Sequence, residues 1–137
     1  LREGEQVCIR QFDNYIDILC GYEPEACEMR GRCGIHYAVE ADGSVYPCDF
    51  YMLDSWRPGN MHEASLEEMD EQRIKTGFSA ATARMPAKCA ACRYERLCRG
   101  GCRRYRNEDG ENVLCEAYRT FFSYAGERLR ELAWRRI

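Results

Sequence analysis

The chain has 137 residues, the length of one ordinary domain. Apolar residues make up 45% and charged residues 31%, which allows a packed core and excludes wholesale disorder. The longest apolar runs are only a few residues, so no transmembrane helix is expected, and a formal charge of -3 argues against nucleic acid as the main partner. No basic-then-apolar leader follows Leu1, so no signal peptide is expected; the absence of an initiator Met points to a piece of a longer protein.

Residues 5 to 20 predict a helix. Cys8, Phe12, Tyr15, Ile16 and Leu19 form an apolar stripe at helical spacing, and Gly21 and then Pro24 stop it. Residues 35 to 48 predict a β-hairpin: Ile35, Tyr37 and Val39 alternate with His36, Ala38 and Glu40, Asp42-Gly43 is a tight-turn signal, and Val45-Tyr46 resumes the extended pattern. Pro47 limits the ladder, and Gly59-Asn60 marks a loop. Ser65-Leu66-Glu67-Glu68 matches a capping box, opening a helix whose apolar face is Leu66, Met69 and Ile74. Gly77 to Pro86 reads as a loop or a short helix. The last helix has the clearest stripe: Leu114, Tyr118, Phe121, Phe122, Ala125, Leu129, Leu132 and Ala133.

Cysteine is the outlier, with ten in the chain. Cys27, Cys33 and Cys48 surround the hairpin. Cys89, Cys92, Cys98, Cys102 and Cys115 follow in the second half. These eight make two sets of four, the complement of a structural zinc ion or of a [4Fe-4S] cluster. Because they split three and five, filling both sites requires one of the later group to join the hairpin cysteines. The two sites would be interleaved, and metal binding would be folding free energy. The Cys89-x2-Cys92 turn lets both sulfurs point at one ion or cluster, and Gly31, Gly34, Gly100 and Gly101 stand where backbone must bend beside a bulky group. Eight basic residues between Arg84 and Arg106 face one acid, Glu95; they form either a solvated face or the charge compensation of an anionic cluster. Disulfides would need an oxidising compartment, which the missing leader argues against. Spacing alone leaves zinc and iron–sulfur both open. Cys8 and Cys20 are expected to be packing residues, His36 and His62 structural, and Trp56 and Trp134 packing aromatics.

The run Cys33-x9-Gly43-x4-Cys48, Cys89-x2-Cys92-x5-Cys98-x3-Cys102 and Cys115 resembles the seven-cysteine pattern of SPASM domains, the auxiliary-cluster domains of radical S-adenosylmethionine enzymes. The stretch Val39 to Tyr51, Gly59-Asn60, Ser65 to Met69, Leu97 to Cys102 and Phe121-Phe122 is similar to the anaerobic sulfatase-maturating enzymes. The resemblance runs from about Cys8 to Tyr124. It implies an α+β fold: a β-hairpin, helices and loops wrapped around two [4Fe-4S] sites and closed by a long C-terminal amphipathic helix. Residues 1–24 would be the remnant last helix of a preceding partial TIM barrel, and residues 25–137 the SPASM domain.

The resemblance also implies the ligand sets. Cys27, Cys33, Cys48 and Cys102 would hold the first cluster; Cys89, Cys92, Cys98 and Cys115 would hold the second. Both would be fully ligated by protein, which favours electron transfer or structure over direct substrate activation. Asp49, directly after the third ligand, matches the family's proposed general base, against the alternative of an Asp that hydrogen-bonds nearby backbone. The Cys-x3-Cys-x2-Cys motif that holds the cofactor-cleaving cluster is missing; Tyr105 stands where its last cysteine would be. S-adenosylmethionine and a third cluster would therefore belong to the barrel, and this piece should not turn over alone. The parent enzyme would oxidise a Cys or Ser of a sulfatase to formylglycine in the cytoplasm. Its partners would be the barrel of its own chain and the sulfatase polypeptide, with no nucleic acid and no membrane. A maturase acting on another peptide and a non-catalytic module with two four-cysteine zinc sites are the alternatives.

Overall fold

The structure, a computed structural model, describes residues 4, 7–82 and 85–136. In chain order these form α1 (Arg10–Cys20), β1 (Ala38–Val39), β2 (Ser44–Tyr46), β3 (Gly59–Asn60), α2 (Leu66–Thr76), α3 (Ala87–Ala90), α4 (Glu95–Cys98) and α5 (Cys115–Trp134), with short 3-10 turns between them. Helices with a small antiparallel sheet agree with the α+β expectation. The chain divides into two compact units, Leu1–Gly31 with Met85–Ile137, and Arg32–Arg84. Among the described residues no helix is long and apolar enough to cross a membrane.

In the first unit α1 lies against α5. Phe122, Gly126, Leu129 and Ala133 recur at helical spacing and form the buried stripe of α5. Tyr15 and Ile18 of α1 meet them, with Ala26, Met29 and Leu97 completing the core. Phe122 is the hub: its ring centroid lies 5.1 Å from Tyr15, 5.7 Å from Tyr94 and 6.0 Å from Tyr118. Each such pair adds about 0.5–1.5 kcal/mol beyond area burial. Asn14 is buried because both ends of its amide are used. Its Nδ2 donates to Arg10 O at 2.8 Å, and its Oδ1 accepts from Ala26 N at 2.9 Å. That second bond fastens the backbone one residue before Cys27.

Several expectations shift here. α1 starts at Arg10, not at residue 5, because Ile9 is extended and offers no side-chain cap; Glu5 and Gln6 lie outside the described residues. Cys8 is consequently off the helix and exposed, its thiol donating to Asp13 at 2.9 Å in the first turn, so it does not pack. Ile18, absent from the expected stripe, is fully buried, while Phe12 stays partly exposed and stacks on Phe121 at 6.1 Å. Cys20 does pack, half-buried with its sulfur 3.8 Å from Ala133 O. Leu132 and Trp134 flank Ala133 and point about 100° to either side of it, so both are exposed, Trp134 at 80%. Leu114 precedes the helix and is also exposed.

In the second unit β2 is the central strand of the order β1-β2-β3, and both pairings are antiparallel. The Asp42-Gly43 turn forms as expected: Asp42 Oδ1 accepts from Ser44 N at 2.9 Å and Oδ2 from Ser44 Oγ at 3.0 Å. Gly59-Asn60, expected as a loop, is an edge strand. Pairing of Val45 with Gly59 and of Ser44 with Asn60 overrides their weak strand propensity. Ser44, Val45 and Tyr46 are then all buried, in place of the alternation of a two-stranded hairpin. Phe78 anchors this unit, with Tyr51 and Trp56 edge-on at 5.3 and 5.4 Å. Trp56 thus packs as expected. The expected loop or short helix over 77–86 contains a 3-10 turn at Ala80–Thr82.

The capping box of α2 is complete. Ser65 Oγ accepts from Glu68 N at 3.2 Å, and Glu68 Oε2 accepts from Ser65 N at 2.8 Å. Its apolar face is not the expected one. Met69 is buried, but Leu66 and Ile74 are exposed, and Arg73 is buried at 6% exposure. Arg73 is buried together with its partners: Nε donates to Asp70 at 3.3 Å and Nη1 to Ser79 Oγ at 3.1 Å. The Tyr37 hydroxyl donates to the same Asp70 carboxylate. Desolvating the guanidinium is compensated there by hydrogen bonds that a hydrophobicity pattern does not register.

Candidate metal centre

Four cysteines of the first unit reach one place by four short local structures. Cys89 sits in α3, whose last turn continues so that Cys92 N donates to Cys89 O at 3.0 Å. Cys92 O accepts in turn from Glu95 N at 3.0 Å, starting α4, and Cys98 is the last residue of that helix. Cys115 is the first residue of α5, its amide held by Asn112 O at 3.0 Å. Each ligand candidate therefore stands at a helix end or in a turn, where side chains from different segments can point at one spot.

All four cysteines line a single cavity of about 370 Å³, together with Tyr94, Tyr118 and Phe122. Among the described residues no three His, Cys, Asp or Glu side chains are drawn together around a point that one ion could occupy. A zinc ion with Zn–S bonds of about 2.3 Å pulls its four sulfurs nearly into contact. By donor chemistry, four cysteines lining one cavity fit a [4Fe-4S] cluster as well as a single four-coordinate ion.

Burial raises the pKa of Cys98, and the neighbouring thiols at Cys115, Cys89 and Cys92 add to the rise. Cys89 is raised for the same reason, burial first, then Cys115 and Cys92. A cation or cluster core at this place would favour the thiolate forms of Cys89 and Cys98. Loading such a site releases protons.

The other four ligand candidates are divided. Cys27, at the start of a 3-10 turn, and Cys102, at the start of another, lie in the first unit. Cys33 and Cys48 lie in the second. Cys48 ends the buried run from Ser44, and burial pushes its thiol up to about 11, with Asp49 and Cys33 contributing. The Cys48 thiol donates to Asp49 Oδ1 at 3.4 Å, and Asp49 itself is exposed. His36 is half-buried and His62 exposed. The His62 ring lies against Gly43, where an added Cβ would stand 2.7 Å from it.

The basic segment is mostly occupied with holding the fold. Arg99 pairs with Glu23 at 2.9 Å, Lys88 with Glu111, and Arg93 lies over the Tyr94 ring at 5.3 Å. Arg84 lies outside the described residues. Lys88, Arg93 and Arg119 line the cavity beside Glu95 and Glu116, so the surroundings of the four thiols are mixed in charge. Cysteine spacing gives no hint of two further residues at this place. Asn112, nearly buried, donates from Nδ2 to Gly100 O at 3.1 Å and accepts from Leu114 N at 2.8 Å, setting the entry to Cys115. Arg106 donates to the carbonyls of Gly31, Gly100 and Gly101. The paired glycines after Arg99 were the available signal for a backbone that something must hold.

Residues 27–93 match the family SPASM, described as an iron-sulfur cluster-binding domain. The cysteine-type anaerobic sulfatase-maturating enzyme of Clostridium perfringens is 39% identical over 135 residues, covering 95% of this chain and 36% of that enzyme. A serine-type anaerobic sulfatase-maturating enzyme of Bacteroides thetaiotaomicron is 30% identical over 123 residues, covering 85% of this chain and 30% of that one. Among solved structures, native anSMEcpe with bound AdoMet superposes with a TM-score of 0.87 at 39% identity, covering 98% of this chain and 38% of that chain. The same enzyme with bound AdoMet and the Kp18Cys peptide superposes with a TM-score of 0.86 at 39% identity, over 95% of this chain and 37% of that chain. This chain thus spans about a third of the length of the relatives it matches. A SPASM iron-sulfur cluster-binding domain lies within it, and over 95% of its length the chain is related to the anaerobic sulfatase-maturating enzymes.

Proposed function

We propose that this chain is the auxiliary-cluster part of an anaerobic sulfatase-maturating enzyme. It holds two [4Fe-4S] clusters, carries electrons away from the reacting substrate and helps cap the active-site barrel. The observation that carries the reading is that Cys89, Cys92, Cys98 and Cys115 line one cavity, in a chain related to these enzymes over 95% of its length. Those four hold one cluster. Cys27, Cys33, Cys48 and Cys102 hold the other, on the strength of the cysteine pattern. When bound, the clusters supply one-electron redox capacity at sites with no open coordination position.

The remaining steps belong to the chain's own residues. Asp49 follows Cys48 on an exposed turn and accepts the Cys48 thiol's hydrogen bond. Once that sulfur is a thiolate ligand it has no proton to donate, and the carboxylate is released to accept one from the Cys or Ser side chain of a sulfatase peptide. Conversion to formylglycine requires loss of that proton, of a hydrogen atom from the neighbouring carbon and of one further electron; a Ser then stands as the aldehyde, and a Cys reaches it by hydrolysis of the thioaldehyde. The AdoMet site and the third cluster lie in the barrel of the parent enzyme, which residues 1–24 adjoin. The whole operates in the cytoplasm, with a polypeptide substrate and no nucleic acid or membrane.

The test is metal analysis of the protein prepared without oxygen. About eight iron and about eight sulfide per chain, with the broad visible absorption of [4Fe-4S] centres, are expected. A colourless preparation with stoichiometric zinc after anaerobic reconstitution with iron and sulfide would refute the reading.

A further inference from the structure

Arg106 closes the 3-10 turn after Cys102, and its guanidinium gathers three backbone carbonyls. Nη2 donates to Gly31 O at 2.8 Å and to Gly101 O at 3.0 Å, and Nε donates to Gly100 O at 3.2 Å. Gly31 lies between Cys27 and Cys33 in sequence; Gly100 and Gly101 lie between Cys98 and Cys102. One side chain thus holds the backbone beside ligand candidates for both clusters.

The backbone is shaped for this contact. Arg99, Gly100 and Gly101 have φ of 50°, 75° and 63°, a left-handed run that turns successive carbonyls toward one side. Arg99 is the one non-glycine residue with positive φ among the described residues. The approach is close: a Cβ on Gly31 would stand 2.2 Å from Arg99 O, and one on Gly101 would stand 2.4 Å from Asn112 Nδ2. Asn112 adds a second donor to Gly100 O at 3.1 Å. Converging carbonyls repel one another unless a cation lies among them; a planar guanidinium spreads fixed donors across all three, whereas an ammonium offers its rotatable donors from a single point.

We propose that Arg106 is a positioning residue that locks the segment after Cys27 to the Cys98–Cys102 turn. The lock places ligands of both clusters in register, with its positive charge held beside the two sites. The inference rests on the two-cluster reading above. Removing the fork should loosen both cluster sites together. A cation near both sites also favours their reduced, more negative states, so its loss should move both reduction potentials downward.

The test uses the anaerobically reconstituted protein with Arg106→Gln and Arg106→Lys, and Arg128→Gln on the exposed face of α5 as control. Release of iron to a chelator, the reduced-state spectrum of each cluster and their reduction potentials are measured. Both Arg106 variants should release iron from both clusters at least ten times faster than the control. Arg106→Gln should lower both potentials, and Arg106→Lys should leave the potentials near the parent values without restoring iron retention. Release at the parent rate in Arg106→Lys overturns the fork. Loss from one cluster, with the other's spectrum and potential unchanged, overturns the lock. If Arg106→Gln does not fold, Arg106→Lys alone decides, since it keeps the stem and the charge. Zinc in place of iron in the unmutated protein is a different result, and it removes the two-cluster reading itself.

Discussion

Gly31→Ala separates the cost of a left-handed backbone from the cost of crowding. Gly31 has φ of 72°, and an added Cβ would stand 2.2 Å from the Arg99 carbonyl oxygen and 2.8 Å from Arg99 Cβ. The first contact is with backbone, so no flexible side chain can swing away. The conformational part costs about 1–2 kcal/mol. Relieving the contact must pull Gly31 off Arg99 and lengthen the 2.8 Å bond from Arg106 to Gly31 O; a hydrogen bond to a charged group contributes about 1.5–3 kcal/mol. The sum is about 2.5–5 kcal/mol. Gly21→Ala is the matched control, because Gly21 has φ of 91° and nothing within 4 Å of its added Cβ. It should cost only the conformational part. Denaturant midpoints of the two variants, prepared and unfolded side by side without oxygen, give the difference at constant slope. Iron content measured on the same samples should fall in Gly31→Ala and hold in Gly21→Ala. Equal destabilisation in the two variants would refute the close approach and, with it, the packing of the segment after Cys27.

Four other outcomes follow from the structure. Cys98→Ala should bring the iron count from about eight to about four, and Cys102→Ala should spare the cluster of Cys89 and Cys92 while weakening the other; iron analysis with the spectrum of the remaining cluster checks both. In the parent enzyme, Asp49→Ala should keep its iron and lose turnover on a sulfatase peptide, and unchanged turnover would remove Asp49 from the reaction. Asp70 is held below its ordinary value by the Tyr37 hydroxyl first and then by Arg73. Its folded form therefore binds a proton less readily than its unfolded form, so its contribution is present above the ordinary value of 3.8 and is lost as pH falls through the folded value. Tyr37→Phe should flatten that acid dependence, read from amide exchange of Val45 as the pH is lowered; an unchanged dependence would discount the Tyr37–Asp70 bond.

Signals confined to a few neighbouring residues were readable from the amino acids alone. The Ser65–Glu68 box, the Asp42-Gly43 turn and the stop at Gly21 each formed where their chemistry demanded, since the groups that satisfy one another lie within a turn along the chain. The cysteine spacing, together with the surrounding motifs, likewise carried the family. Which face of a helix is buried was not readable. Ile74 looks like a core residue and Arg73 does not, yet Arg73 is the one enclosed, because Asp70 and Ser79 come to it through the fold. Gly59-Asn60 has the composition of a loop and becomes a strand because β2 offers it a ladder. The same division holds at the metal centre. Chain order put Cys89 beside Cys92; only the packing of α4 and α5 on α1 brought Cys115 to them, with the Arg106 fork bracing the turn behind. Covalent neighbours constrain one another whatever the rest of the molecule does, whereas burial and convergence depend on partners that sequence distance does not disclose.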